Sequence, residues 1–284
     1  MIHEKIPIQM SGSSKDTHLT TYILDAYEEQ PEDLVRPFIL ICPGGAYRFT
    51  ADREAEMIAL QFNSMGYHAA VLRYSCAPCV FPTALTEVAR SVQMIHEQAK
   101  AWRVDTDNIF VMGFSAGGHL AASFGVFWNR DFLREAVGCS KEILKVKGLI
   151  LCYPVITSRE DYGHLESIHN LLGSEYEEKK AMMALENQVD IHVAPVFIWH
   201  TFEDQSVPFQ NSLLFVEAMG KAGVPAEFHL YPKGSHGLSL ANEALMRTDG
   251  TGVQEECQSW MPLLRTWHLE CLWQKVSEKQ YKTL

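Results

Sequence analysis

Residues 109–120 read IFVMGFSAGGHL. The first four residues form an apolar run that is typical of a buried strand, and the small residues after Ser115 are typical of the start of a helix. Between the two lies a G-x-S-x-G sequence, residues 113–117. A serine on a sharp turn from strand to helix has an exposed hydroxyl group, and the flanking glycines allow the turn to close. A serine that only caps the helix is the alternative at this point.

Segments typical of strands and helices alternate on both sides of this stretch. Apolar, strand-like runs lie at residues 38–42, 68–74, 146–155, 195–200 and 226–231. Helical spacing of apolar residues occurs at residues 52–65, 82–102 and 208–222, and in a last helix that uses Trp260, Leu263, Leu264 and Trp267. This alternation predicts an α/β fold: a mostly parallel sheet of about eight strands with helices on both faces.

Two regions depart from the alternation. Residues 1 to about 36 contain extended segments around a turn, which predict an antiparallel edge of the sheet. Residues 157–192, after the sixth strand, are polar and are predicted to be a helical, cap-like insertion that could cover a site. No repeat or composition change marks a boundary, so residues 1–284 are expected to form a single domain.

The composition limits the classes of partner. The chain has 284 residues and a formal net charge of −11, so it has no basic surplus for nucleic acid or an anionic membrane. No stretch approaches about 18 consecutive apolar residues, so no membrane span is expected. The first residues do not resemble a signal peptide, and the seven cysteines are interpreted as reduced thiols, which favours a cytoplasmic location. Homo-oligomer formation is left open.

The residues that follow the strands carry the candidate chemistry, because ligands of such sheets bind beyond the carboxyl ends of the strands. The 38–42 strand leads into the PGGAY loop (residues 43–47), and the 109–112 run leads into Ser115. The last two strands lead into Asp204 and His236. A serine, an acid and a histidine therefore follow strands in the order Ser, Asp, His, which belongs to one architecture among the folds that share this triad.

Five segments carry a family resemblance: PGGAY, FPTALTEVARSV, DNIFVMGFSAGGHLAA, PVFIWHTFEDQSVPFQNSL and FHLYPKGSHGL. They span roughly residues 36–240. In these residues the chain resembles α/β-hydrolase-fold esterases, and more narrowly the acetylesterase and acetylxylan-esterase-like group that is also labelled feruloyl-esterase-like or esterase/lipase. The resemblance implies an α/β-hydrolase fold and an ester hydrolase that needs no cofactor and no metal ion.

The resemblance also implies roles for the three residues. Ser115 matches the nucleophile, and His236 matches the base that takes its proton. Asp204 matches the acid that orients the imidazole, with Glu203 next to it as the alternative. Because the base must be neutral to accept the proton, activity is expected to fall on acidification.

Oxyanion donors are expected from two backbone segments. One is the N–H group of Ala116, directly after the nucleophile, and the others are those of Gly45 and Ala46. The chain departs from the commoner His-Gly-Gly-Gly form, with Pro43 in place of the histidine and Ala46 in place of the third glycine. Which of the two loop N–H groups points inward is therefore open.

Two aromatic residues of this region, Tyr47 and Phe49, could form a wall of the substrate site or belong to the core. The predicted function is a serine carboxylesterase for short-chain esters, above all acetyl esters of xylo-oligosaccharides or other carbohydrates. A small prolyl-oligopeptidase-like peptidase or amidase is one alternative, because such enzymes also carry G-x-S-x-G-G. A binding protein on an inactive hydrolase fold is the remote alternative.

Overall fold

A single eight-stranded sheet runs through residues 1–31 and 33–268, the part of the chain that the computed structural model describes. In chain order its strands are β1 (Lys5–Pro7), β2 (His18–Tyr22), β3 (Arg36–Cys42), β4 (His68–Arg73), β5 (Val104–Phe114), β6 (Gly148–Cys152), β7 (Val196–Thr201) and β8 (Ala226–Tyr231). Their order across the sheet is β1-β2-β4-β3-β5-β6-β7-β8. The pairs β1–β2 and β2–β4 are antiparallel, and the other neighbouring pairs are parallel. The predicted mostly parallel sheet with an antiparallel edge is confirmed.

Helices surround this sheet. Their bounds are α1 (Glu56–Ser64), α2 (Thr83–Glu97), α3 (Ala99–Trp102), α4 (Ala116–Phe127), α5 (Asp131–Val137), α6 (Lys141–Leu144), α7 (Leu165–Leu172), α8 (Tyr176–Lys179) and α9 (Gln210–Ala222). A further helix, α10, begins at residue 260 and is described to residue 268. None of the helices within the described residues combines the length and the apolar character that crossing a bilayer requires.

Both faces of the sheet are covered, which explains the uninterrupted apolar runs of the central strands. In β3, Phe38, Leu40 and Cys42 belong to one buried cluster, and Ile39 and Ile41 belong to the other. Helices α2, α4 and α9 pack into the first cluster, and α1 and α10 pack into the second. The prediction of helices on both faces is confirmed.

The predicted helix over residues 82–102 is interrupted. Helix α2 ends at Glu97 and α3 begins at Ala99, with Gln98 between them. The N–H group of Gln98 still donates to the carbonyl of Met94, and the N–H group of Trp102 donates to the carbonyl of Gln98. The break is therefore local, and the apolar face of the segment stays on the core.

The insertion at residues 157–192 is helical, as predicted. It contains α7, α8 and three short 3-10 turns, at Gly173–Glu175, Lys180–Met183 and Leu185–Asn187. Its apolar side chains Ile168, Leu172, Met183 and Leu185 are completely buried in the cluster that also holds α4. The insertion is thus packed onto the helix that follows Ser115.

The register of the parallel strands brings several loops to one edge. Cys42 at the end of β3 pairs with Gly113 of β5, and Gly113 pairs with Leu151 of β6. The segments that follow these strands consequently leave the sheet side by side, and the segments after β7 and β8 leave it at the same edge. This edge carries the candidate site.

Candidate active site

Ser115 occupies a tight turn between β5 and α4. Its backbone has φ 53° and ψ −120°, a conformation that L-residues rarely adopt. The turn depends on glycine on both sides. A Cβ atom at Gly113 would lie 2.0 Å from the carbonyl oxygen of Gly117, and one at Gly117 would lie 2.1 Å from the carbonyl oxygen of Cys42. The side chain of Ser115 makes no capping hydrogen bond to α4, so the alternative of a helix-capping serine does not describe this turn.

The three side chains that the sequence singled out meet at this turn. The Oγ atom of Ser115 lies 2.8 Å from Nε2 of His236, and Nδ1 of His236 lies 2.6 Å from Oδ2 of Asp204. Because an ionised carboxylate only accepts hydrogen bonds, the Nδ1–H group donates to Asp204, and Nε2 is left to accept the serine proton. This is the tautomer that a general base requires.

Asp204 is almost completely buried, with 3% of its surface exposed. Its Oδ1 atom accepts hydrogen bonds from the N–H groups of Ser206 and Val207, and Nε2 of His200 lies 3.3 Å from its Oδ2 atom. Burial acts to raise the pKa of Asp204, but the hydrogen bonds from His200 and His236 outweigh it and hold this pKa well below the usual range. The carboxylate therefore stays ionised beside the imidazole.

The neighbouring acid, Glu203, has a different partner. Its Oε2 atom accepts a hydrogen bond of 3.2 Å from the N–H group of Gly234, and its side chain is exposed. Glu203 thus contacts the backbone of the loop that carries His236, whereas Asp204 contacts the imidazole itself.

The PGGAY loop lies against the serine turn. The N–H group of Gly44 donates to Oε2 of Glu54 at 2.7 Å. Within the described residues, the N–H groups of Gly45, Ala46 and Ala116 have no hydrogen-bond partner, so they are available to a ligand. The three groups predicted as oxyanion donors therefore remain candidates, while that of Gly44 is occupied.

The loop has an unusual backbone. Ala46 and Tyr47 both have positive φ angles, of 55° and 54°, which cost roughly 1–2 kcal/mol for each residue that has a Cβ atom. Two contacts hold this conformation. Nδ2 of Asn170 donates to the carbonyl of Ala46 at 2.8 Å, and the hydroxyl of Tyr47 lies 3.0 Å from Nδ1 of His119.

A cavity of about 300 Å³ opens onto Ser115. Its lining includes Gly45, Ala46, Phe49, Arg53, Glu54, His164, His236 and Arg247. The predicted substrate contact Phe49 lies in this lining and is half exposed. Tyr47 does not: it is 2% exposed, and its ring packs against Tyr74 and His119 behind the loop. Of the two possibilities for Tyr47, a wall of the site or the core, the structure shows the core, so the prediction of Tyr47 as a substrate contact is corrected; its ring is packed behind the loop and its hydroxyl lies 3.0 Å from Nδ1 of His119.

Several residues of the site were not singled out by the sequence. Glu54 fell within the helix predicted over residues 52–65, but residues 52–54 form a 3-10 turn in which Glu54 is buried. Tyr153 directly follows β6, and its position after a strand was the signal that could have found it. His164 belongs to the polar insertion. It is half buried in the cavity lining, and burial, followed by the nearby His236, lowers its pKa.

The insertion reaches the site through polar contacts. Besides the bond from Asn170 to the PGGAY loop, Glu166 forms an ion pair of 2.9 Å with Arg48. Both of these charged side chains are at least half exposed, so this pair contributes little to stability. On the buried side, Nε2 of His119 lies 3.2 Å from the carbonyl of Met183. In residues 1–31 and 33–268, no group of three or more His, Cys, Asp or Glu side chains is arranged to hold a metal ion.

The chain is similar to a known protein family and to several known proteins. The BD-FAE family model matches residues 24–219. Endo-1,4-beta-xylanase B of Butyrivibrio fibrisolvens is 34% identical over 219 residues, which are 75% of this chain and 34% of that protein. The chain therefore spans about a third of the length of this curated relative.

Two solved structures match almost their whole length. A carboxylesterase from Lactobacillus plantarum superposes with a TM-score of 0.82 at 28% identity, covering 95% of this chain and 98% of that one. An acetyl ester-xyloside bifunctional hydrolase from Caldicellulosiruptor lactoaceticus has a TM-score of 0.72 at 34% identity, covering 91% and 92%. These matches confirm the α/β-hydrolase fold and the resemblance to esterases.

Proposed function

The chain belongs to the BD-FAE family, and from that premise we propose that it is a serine carboxylesterase. The observation that carries the proposal is the unbroken line of hydrogen bonds from Ser115 through His236 to Asp204. Such a line activates an alcohol that is otherwise a weak nucleophile near neutral pH.

The proposed reaction has two halves. In the first, Nε2 of His236 takes the proton of Ser115 while Oγ attacks the ester carbonyl carbon, and the carbonyl oxygen becomes an oxyanion. The free N–H groups of Ala116, Gly45 and Ala46 are the candidates to stabilise this charge. The carbon–oxygen bond to the alcohol then breaks, and the alcohol leaves with the proton held by His236. In the second half, a water molecule repeats the sequence on the acyl-enzyme and releases the acid.

We propose short-chain esters as substrates, above all acetyl esters of xylo-oligosaccharides or other carbohydrates. The size of the cavity at Ser115, about 300 Å³, favours substrates with a short acyl group. The named activity of the Caldicellulosiruptor lactoaceticus hydrolase, on an acetyl ester and a xyloside, supports a carbohydrate alcohol. Phe49, half exposed in the lining, offers an apolar surface for a sugar ring.

A substrate panel tests the proposal. The panel combines 4-nitrophenyl acetate, butyrate and octanoate with acetylated xylo-oligosaccharides and a 4-nitroanilide. We expect kcat/KM to be highest for the acetyl esters and to fall as the acyl chain lengthens, with negligible amide cleavage. Ser115→Ala is expected to lose about 10⁶-fold in kcat, as removal of a triad serine does in other hydrolases, and to keep the fold.

A fluorophosphonate probe completes this experiment, because it labels only an activated serine. Wild type should be labelled and Ser115→Ala should not. Undiminished esterase activity in Ser115→Ala would contradict the proposed nucleophile, and efficient anilide cleavage would favour the peptidase alternative.

A further inference from the structure

Glu54 is a buried carboxyl group in the candidate site that the proposed reaction does not use. It is 5% exposed and belongs to the lining of the cavity at Ser115. Its Oε2 atom accepts the N–H group of Gly44 at 2.7 Å, and its Oε1 atom accepts the hydroxyl of Tyr153 at 2.7 Å. A buried acid costs free energy unless its oxygens are hydrogen-bonded, and here both are bonded to groups of the site.

The bond to Gly44 determines which N–H groups of the PGGAY loop remain free. A Cβ atom at Gly44 would lie 2.7 Å from Oε2 of Glu54 and 2.9 Å from the Cβ atom of Ser115. The carboxyl group and the serine side chain thus approach the same point of the loop. Because Glu54 occupies the Gly44 donor, the next two donors along the loop, those of Gly45 and Ala46, are left for the substrate.

The bond to Tyr153 extends this contact to the histidine. The hydroxyl of Tyr153 accepts the N–H group of Ser239 at 2.9 Å, and its ring lies 5.1 Å from the ring of His236 in an edge-to-face arrangement. Ser239 adds a second link, because its hydroxyl donates to the carbonyl of Arg53 at 2.6 Å. Polar contacts therefore connect the PGGAY loop to the segment that carries His236.

We propose that Glu54 is a positioning residue that orients the oxyanion donors of the PGGAY loop relative to His236, with Tyr153 as its intermediary. The inference rests on the proposed esterase function. Glu54 orients the oxyanion donors, as Asp204 orients the imidazole of His236. A negative charge beside a developing oxyanion is unfavourable by Coulomb's law, so the contribution of Glu54 comes from geometry.

The experiment compares Glu54→Gln and Tyr153→Phe with wild type, using 4-nitrophenyl acetate. Glu56→Gln is the matched control, since it changes an exposed carboxyl group two residues away. A trifluoromethyl ketone is the second probe. Ser115 adds to its carbonyl carbon, His236 takes the proton, and the resulting oxyanion occupies the same donors as in the reaction.

We expect kcat to fall about 10- to 100-fold in Glu54→Gln, below the 10²- to 10³-fold that outright loss of an oxyanion donor costs. The inhibition constant of the ketone should rise by a similar factor, while KM stays within about threefold and Glu56→Gln matches wild type. Tyr153→Phe should change the same two quantities in the same direction.

A purely structural role would lower the melting temperature without changing kcat per folded molecule or the affinity for the ketone, and that result would overturn the proposal. If Glu54→Gln does not fold, Tyr153→Phe decides, because it removes a single oxygen atom, and wild-type kcat and ketone affinity in that variant would overturn the proposal. If the wild-type protein has no esterase activity, both the proposed function and the positioning role are overturned. If the wild type is active and the variants behave like it, only the positioning role is overturned.

Discussion

At the scale of single residues, burial separates Asp204 from Glu203, the neighbouring acid that the sequence left as an alternative. Asp204 and Glu203 both follow β7, and either could reach a histidine on the adjacent strand end. Only Asp204 is buried, and it accepts two backbone N–H groups as well as the imidazole. Its lowered pKa means that the carboxylate stays ionised and available to orient His236 near neutral pH.

Replacing this acid should have a large effect on catalysis. Asp204→Asn is expected to reduce kcat by about 10⁴-fold, because an amide that donates to Nδ1 favours the wrong imidazole tautomer, as in serine proteases. Glu203→Gln, one residue away, should stay within about threefold of wild type. Steady-state kinetics on 4-nitrophenyl acetate give both values, and equal losses in the two variants would remove the distinction between the acids.

At the scale of elements, the insertion contributes to the geometry of the PGGAY loop. Helix α7 supplies Asn170, whose side chain holds the carbonyl of Ala46, and the segment after α8 supplies the carbonyl of Met183 that His119 contacts. His119 in turn contacts the Tyr47 hydroxyl. Ala46 and Tyr47, the two non-glycine residues of the loop with positive φ, are thus held in place by contacts with the insertion and with α4, which stabilise a conformation that is otherwise unfavourable.

Loss of the contact from α7 should loosen the loop. In Asn170→Ala we expect kcat to fall about tenfold, because the Ala46 carbonyl loses its partner and the adjacent N–H donors are less well oriented. The free energy of unfolding should fall by only about 1 kcal/mol, the usual value of one hydrogen bond. Asn187→Ala is the matched control, an exposed asparagine of the same insertion. Kinetics and urea denaturation measure the two effects, and equal kinetics in both variants would contradict the role given to Asn170.

At the scale of the whole molecule, a buried histidine links stability to pH. His119, a residue of α4, is completely buried against the insertion, and burial lowers its pKa to about 4. In the unfolded chain its pKa is about 6.5, so between these values only the unfolded state binds the proton. The stability that His119 confers is therefore complete above about pH 6.5 and declines as the pH falls toward 4. His68 and His268 act in the same direction.

This linkage predicts a measurable slope. The free energy of unfolding should decrease as the pH is lowered from about 7 to 4.5, with up to about 3 kcal/mol attributable to His119. His119→Asn should be less stable at pH 7 but lose less stability on acidification. Asp204 does not contribute in this window, since the stability from a carboxyl group with a lowered pKa is lost only at more acid pH. Urea denaturation across the pH range measures the slope, and an unchanged slope in the variant would refute the assignment.

The amino-acid sequence by itself determined the fold and the chain order of the three candidate site residues. Apolar periodicity is a local property, so the strands, most of the helices and the helical insertion could be predicted with bounds that are close to those observed, whereas the short helices α5 and α6 were not predicted. Ser115, Asp204 and His236 could be found because each follows a strand, and parallel strands bring their carboxyl ends to one edge. The structure brings these three side chains within hydrogen-bonding distance.

Only the tertiary structure decided the surroundings of that triad. The burial of Tyr47, the inward turn of Glu54 and the contacts of Asn170 and Tyr153 all join segments that are far apart in the chain. No periodic pattern encodes such contacts, because each depends on backbone angles and on a partner that arrives from another element. The physical reason is that hydrophobic patterning specifies which faces are buried, whereas the direction of a polar side chain is settled by the hydrogen-bond partner that it meets after folding.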